Sequence, residues 1–192
     1  QSESLPSGDS GRYRASFEFA HPATGIDLMA GPWVVREQMM PRANDGPVRL
    51  RTYFPRELDA VAGLAEGYLD DTRRYLELYG GQIGAYPFTE FSVVASPLPT
   101  GFGMATLTYI GAEVLKLPFI RATSLGHEVL HNWWGNGVYV DYAKGNWSEG
   151  LTTFMADYAY KERESGEAAR TMRLAWLRDF AGVPAGSSKA LT

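Results

Sequence analysis

Two of the three histidines in this 192-residue chain stand four residues apart, in His127-Glu128-Val129-Leu130-His131, and no other feature restricts the fold as much. On a helix, residues i and i+4 share a face about one turn apart, so two neutral imidazoles can reach one metal ion. The stretch after Pro118 reads as helical through Trp134 and stops at Gly135-Asn136-Gly137. Glu128 follows the first histidine and projects beside the metal, where a carboxylate can take a proton from a bound water. A zinc site built for chemistry keeps three protein ligands and one open position. Glu149, on a further helix expected from about Ser148 to Ser165-Gly166, is the natural third ligand, because the break at Gly135 lets the chain turn back. The plainer reading is a satisfied core pair or a surface coincidence. Histidine is so scarce here, and the setting so clearly helical, that the metal reading is preferred. His21, beside Pro22, reads as an ordinary loop residue.

Composition narrows the alternatives. Cysteine is absent, which excludes a disulfide scaffold and thiolate ligation. A net charge of -4 without a basic stripe argues against a nucleic-acid partner. No apolar run approaches the roughly 18 residues a membrane span needs, so no membrane contact is expected of this segment. The first eleven residues are polar and rich in glycine and serine, and Gly182-Val183-Pro184-Ala185-Gly186-Ser187-Ser188 reads as a connecting loop. These ends suggest a piece of a longer protein with further domains beyond both of them. The compartment stays open between the cytoplasm and a bacterial cell envelope.

Strand patterns come first along the chain and helical patterns later. Residues 13–19 alternate apolar and polar, residues 33–40 follow a turn-rich passage, and residues 48–54 put Val48, Leu50, Thr52 and Phe54 on one face before Pro55. Leu58 through Tyr79 has the spacing of one amphipathic helix, with Gly80-Gly81 as its stop. Residues 91–95 and 104–110 read as two further strands, and a last helix covers about 167–180. This order implies an α+β fold with the chemistry on the helical half.

The block from His127 to Asn136, with Trp133-Trp134 and Gly135-Asn136, followed by Asn146-Trp147-Ser148-Glu149-Gly150, resembles the alanyl aminopeptidase and leukotriene hydrolase family of gluzincins. Gly31-Pro32-Trp33, the helix ending near Tyr79 and Tyr86-Pro87-Phe88 also look like the start of that family's catalytic domain. The resemblance covers most of residues 31–165. It implies a thermolysin-like zincin catalytic domain, with an N-terminal mixed sheet with helices and then the metal-binding helical half, truncated at the C-terminus. Residues 1–30 would then be the tail of a preceding β-rich segment with a turn, and 31–192 the partial catalytic domain. It further implies one zinc ion held by His127, His131 and Glu149, with Glu128 as general base in peptide-bond hydrolysis.

Three departures from the family pattern bear on function. Residues 132–148 put 17 positions between His131 and Glu149, one fewer than usual, a difference the loop of 138–145 can absorb. The family's aminopeptidases carry a glutamate on the strand beside the metal that grips the substrate's free amine. The matching segment here, Gly101-Phe102-Gly103-Met104-Ala105-Thr106-Leu107-Thr108-Tyr109, has no acid, nor is there one anywhere from Phe91 to Ala112. The family's oxyanion-stabilising tyrosine would fall past Thr192, since Tyr158 and Tyr160 lie too close to Glu149 on the same helix. The isolated segment is therefore expected to be weak or inactive.

Smaller expectations complete the site. Gly101, Phe102, Gly103 and Met104 open the strand along which an extended peptide would add, unless this is an ordinary core strand. Thr153 or Asp157 would steady a metal-bound histidine, although Asp157 reads equally as a solvated helix residue. Trp133 and Trp134 are expected to pack rather than to touch substrate. Two rival functions remain: a non-catalytic peptide-binding or scaffolding domain that retains zinc, and a zinc hydrolase of a non-peptide substrate. Retention of Glu128, which a structural zinc site does not need, counts against the first.

Overall fold

The computed structural model describes residues 2–4, 14–23, 25–43 and 45–184, and its contacts divide into two units, Gln1–Gly31 and Pro32–Thr192. In the first unit, β1 (Ser2–Ser4) and β2 (Arg14–Ser16) pair antiparallel, with Ser2 opposite Ser16. The strand expected over 13–19 is shorter than its alternation suggested. Tyr13 lies outside the described residues, and Phe17 and Phe19 are exposed, with no neighbouring strand among the described residues to cover them. Alternation makes a strand only where a partner accepts its apolar face.

The second unit is built on a five-stranded mixed sheet. Strands β3 (Trp33–Met40) and β4 (Val48–Pro55) pair antiparallel, Trp33 opposite Pro55. Along β4 the period of two is complete: Val48, Leu50, Thr52 and Phe54 are all fully buried. Two helices follow, α1 (Arg56–Asp59) and α2 (Leu64–Gln82). The single helix expected from Leu58 to Tyr79 is thus broken, because Gly63 takes a left-handed conformation at φ 69° and restarts the chain in a new direction. Gly80 and Gly81 do not stop α2 either. Tyr75, Leu76 and Tyr79 are packed in the core, and that burial outweighs the roughly 1 kcal/mol a glycine costs a helix.

Strand β5 (Glu90–Ser96) lies parallel to β4. The strand expected over 104–110 is instead most of a hairpin, β6 (Gly101–Met104) and β7 (Leu107–Gly111), antiparallel to each other. Thr106 makes the turn at φ 66°, a conformation rare for a β-branched residue and invisible to periodicity. The sheet order is β3-β4-β5-β7-β6, so β6 is an edge strand.

The helical half comprises α3 (Ala112–Leu115), α4 (Ser124–Leu130), a single 3-10 turn (Tyr142–Lys144), α5 (Trp147–Thr153), a π-helical turn (Phe154–Tyr158), α6 (Ala159–Glu164) and α7 (Gly166–Ala181). The helix expected after Pro118 is much shorter than its sequence pattern, with turns on both sides of α4. Leu125, Val129 and Leu130 are fully buried. At about 1.5–3 kcal/mol for each buried side chain, they fix the roll of α4 and leave positions 127, 128 and 131 on its other face. No helix among the described residues is long and apolar enough to cross a membrane.

Candidate metal centre

The structure brings His127, His131 and Glu149 together. His127 lies in the last turn of α4, and His131 caps that helix with helical dihedrals, so the two rings stay one turn apart at a centroid separation of 4.9 Å. Each ring is held by its Nδ1. That of His127 donates to Asp157 Oδ2 at 2.7 Å, and that of His131 to the Trp134 carbonyl at 3.0 Å. Carboxylate and carbonyl oxygens only accept, so both Nδ1 atoms carry the proton and both Nε2 atoms offer lone pairs.

Those lone pairs meet. The two Nε2 atoms are 3.2 Å apart, and Glu149 places Oε2 at 3.4 Å from His127 Nε2 and Oε1 at 3.3 Å from His131 Nε2. Bonds of roughly 2.0–2.1 Å at tetrahedral angles put neighbouring ligand atoms about 3.3 Å apart. The trio therefore has the dimensions of one face of a tetrahedral site, and its two nitrogens and one carboxylate suit a divalent cation such as zinc. The Glu149 side chain is 56% exposed, which leaves the fourth direction open toward solvent.

Local sequence explains the assembly. Gly135, at φ 111°, turns the chain beneath His131, where a Cβ would lie 3.8 Å from Nδ1 and 3.6 Å from Ser148 Oγ. Trp134 donates its indole N–H to Met155 Sδ at 3.3 Å and packs on Trp147, joining the turn after α4 to the segment that bears Glu149. Trp133 is buried against Tyr79 and Tyr86. In an uninterrupted α-helix, residues eight apart lie about 80° off one another's face. The π turn takes up extra chain between Glu149 and Asp157 and swings Asp157 back toward the side of Glu149. Thr153, the other expected support, makes no hydrogen bond to either histidine.

Glu128 stands apart from the trio, against the edge strand. A Cβ at Gly103 would fall 2.5 Å from its Oε2, and one at Gly101 would lie 3.9 Å from Oε1. Its carboxylate takes no hydrogen bond from the described residues. Burial pushes its pKa up and outweighs the opposing pull of His127 and His131, with smaller upward contributions from the Glu149 and Asp157 charges. For His127, burial works against the charged ring, but the Asp157 hydrogen bond and charge, helped by Glu128 and Glu149, raise its pKa overall. Of the edge residues, Gly101 and Gly103 border Glu128, whereas the Phe102 side chain is 54% exposed.

Asn132 is a residue that sequence reasoning missed. It is fully buried. Its Oδ1 accepts the Thr106 N–H at 2.8 Å and the Tyr86 hydroxyl at 3.2 Å, and its Nδ2 donates to the Val129 carbonyl at 3.1 Å. It thus ties the β6–β7 turn to the end of α4. The one available signal was an amide-bearing residue directly between His131 and Trp133-Trp134.

No protein-family model matches the chain, and no curated protein does. Solved structures are similar to it. An M1 zinc metallopeptidase from Deinococcus radiodurans is 26% identical over 80% of this chain and 34% of that one, with a TM-score of 0.59. A point mutant of the same enzyme is 24% identical over 81% of this chain and 34% of that one, with a TM-score of 0.60. The mutant bound to a Tyr-Ser-Ala substrate is 24% identical over 78% and 33%, with a TM-score of 0.55. The chain spans about a third of the length of these structures. Its Pro32–Thr192 unit is an α+β assembly, and the chain is similar in fold to part of the M1 zinc metallopeptidases.

Proposed function

We propose that this chain is the zinc-binding part of a peptidase, with His127, His131 and Glu149 as ligands and Glu128 as general base. The observation that carries the reading is the spacing of 3.2, 3.3 and 3.4 Å among the three donor groups, with an unengaged carboxylate beside them. Zinc held there would supply Lewis acidity, lowering the pKa of a water and polarising a peptide carbonyl. Asp157 and the Trp134 carbonyl orient the two rings and keep the Nε2 atoms deprotonated. Glu128 takes the proton of the attacking water and passes it to the leaving nitrogen. Edge strand β6 offers its open backbone to an extended peptide, and glycine at 101 and 103 leaves room for Glu128 next to that peptide.

The substrate differs from that of an aminopeptidase. No carboxylate on β6, β7 or their turn faces the site, so a free ammonium gains no charge partner from that edge. Bonds in acetylated peptides or in the interior of a chain are the expected targets. The finer domain assignment, a partial thermolysin-like catalytic domain within a longer protein, rests on the sequence resemblance together with the fold. Elemental analysis of the wild type and of His131→Ala tests the metal site. One zinc per chain, lost in the variant, supports it, and unchanged stoichiometry rejects it.

A further inference from the structure

We propose that the Pro32–Thr192 unit holds a second ligand site, for a small oxyanion such as phosphate or a carboxylate, in a cavity among α2, α4, the π turn and α6. The cavity has a volume of about 60 Å³, room for a few water molecules or one small ion. That volume suits a phosphate or a short carboxylate rather than a nucleotide.

The lining is chemically one-sided. Its polar side chains are Arg74, Tyr75, Tyr79, Thr123, Tyr160 and Arg163, with no carboxylate among them. Some are engaged: the Tyr75 hydroxyl donates to the Arg121 carbonyl at 3.0 Å, and Thr123 Oγ1 to the Phe119 carbonyl at 2.8 Å. Arg74 spends one nitrogen on Asp71, also at 3.0 Å. The hydroxyls of Tyr79 and Tyr160 and the guanidinium of Arg163 have no hydrogen-bond or ion-pair partner among the described residues.

Tyr79 makes the point sharpest. The residue is only 2% exposed, and its hydroxyl, which is not sealed from solvent, borders the cavity without a partner among the described residues. Burial pushes the pKa of this hydroxyl up, so it remains a donor at neutral pH. Water could satisfy two phenols. Of the two guanidinium groups beside them, Arg74 already pairs with Asp71, and Arg163 is the one that favours negative charge spread over several acceptor oxygens.

The position gives the site a consequence. Gly126 and Ala156 also line the cavity, and they directly precede His127 and Asp157. A Cβ on Gly126 would come 2.7 Å from the Tyr75 ring and 3.1 Å from the Tyr79 hydroxyl, so α4 rests directly on the rings that would bind the anion. An occupant fastens α2 to the two segments that supply His127 and its supporting carboxylate.

The test titrates inorganic phosphate, and separately acetate, into metal-free protein at constant ionic strength while following the amide signals of Gly126 and Ala156. Saturation by phosphate alone identifies a phosphate-type ligand, and saturation by acetate as well identifies a carboxylate-tolerant one. Arg163→Gln and Tyr79→Phe should each weaken binding about tenfold, as expected for losing one hydrogen bond to a charged ligand. Circular dichroism confirms that these variants fold. His131→Ala should bind as wild type does. The proposal is overturned if neither anion saturates, if the Arg163→Gln/Tyr79→Phe double variant binds unchanged, or if His131→Ala abolishes binding, which would move the anion to the histidines.

Discussion

Replacing Asn132 with alanine should destabilise the Pro32–Thr192 unit by about 2–4 kcal/mol and free the β6–β7 turn. The Thr106 N–H, which donates to Asn132 Oδ1 at 2.8 Å, would be left without a partner, a loss of about 1–3 kcal/mol. Losing the 3.1 Å bond from Nδ2 to the Val129 carbonyl adds about 1 kcal/mol. The Tyr86 hydroxyl contributes little to the sum, because it can still donate to the Glu90 carbonyl at 3.0 Å. For a unit of this size each kcal/mol moves the melting midpoint by roughly 2–4 °C, so the expected fall is roughly 4–16 °C. Thermal denaturation followed by circular dichroism measures it. Amide exchange adds the local readout, with faster exchange over residues 101–107 and retained protection in α2. Adding Thr106→Gly, which suits the observed φ of 66°, should recover about 1 kcal/mol. A midpoint shift below about 2 °C, or acceleration shared equally by α2, would refute the claim that Asn132 pins this turn.

Four further outcomes are expected. Asp157→Asn removes the charge from the 2.7 Å contact to His127 and should weaken zinc affinity about 10–100-fold, measured by competition with a chromogenic chelator. Glu128→Gln should keep zinc at the wild-type level while peptide turnover falls by several orders of magnitude, and loss of metal would make Glu128 a ligand instead. Gly103→Ala puts a methyl 2.5 Å from Glu128 Oε2, so turnover should drop at least about tenfold with zinc retained, and unchanged turnover would mean Glu128 works from another position. In a library of matched peptides, acetylated members should be cut at least as well as free ones; strong preference for free amines would show that an acid outside this segment anchors them.

The His127/His131 pair and its helical setting, Glu128 between them, and Glu149 as a nearby acid were legible because each depends on spacing within one helix or on residue type. Strand β4 was legible because its period-two burial is written along the chain itself, and β5 because it is a short apolar run. What periodicity could not show depends on contacts between segments. The helix over 58–79 divides at Gly63 and continues past Gly80-Gly81, because the packing of α2 against the core, not its glycines, sets where it ends. The strand over 104–110 folds into a hairpin at Thr106, where an amide from Asn132, 26 residues away, supports an unfavourable dihedral. Asp157 read equally as a solvated helix residue, and the π turn puts it on His127. A local pattern can name the residues able to hold a metal; only the tertiary fold brings Glu149 to within 3.4 Å of both rings, because the contacts of Trp134 with Trp147 and Met155 join separate segments rather than follow from any sequence interval.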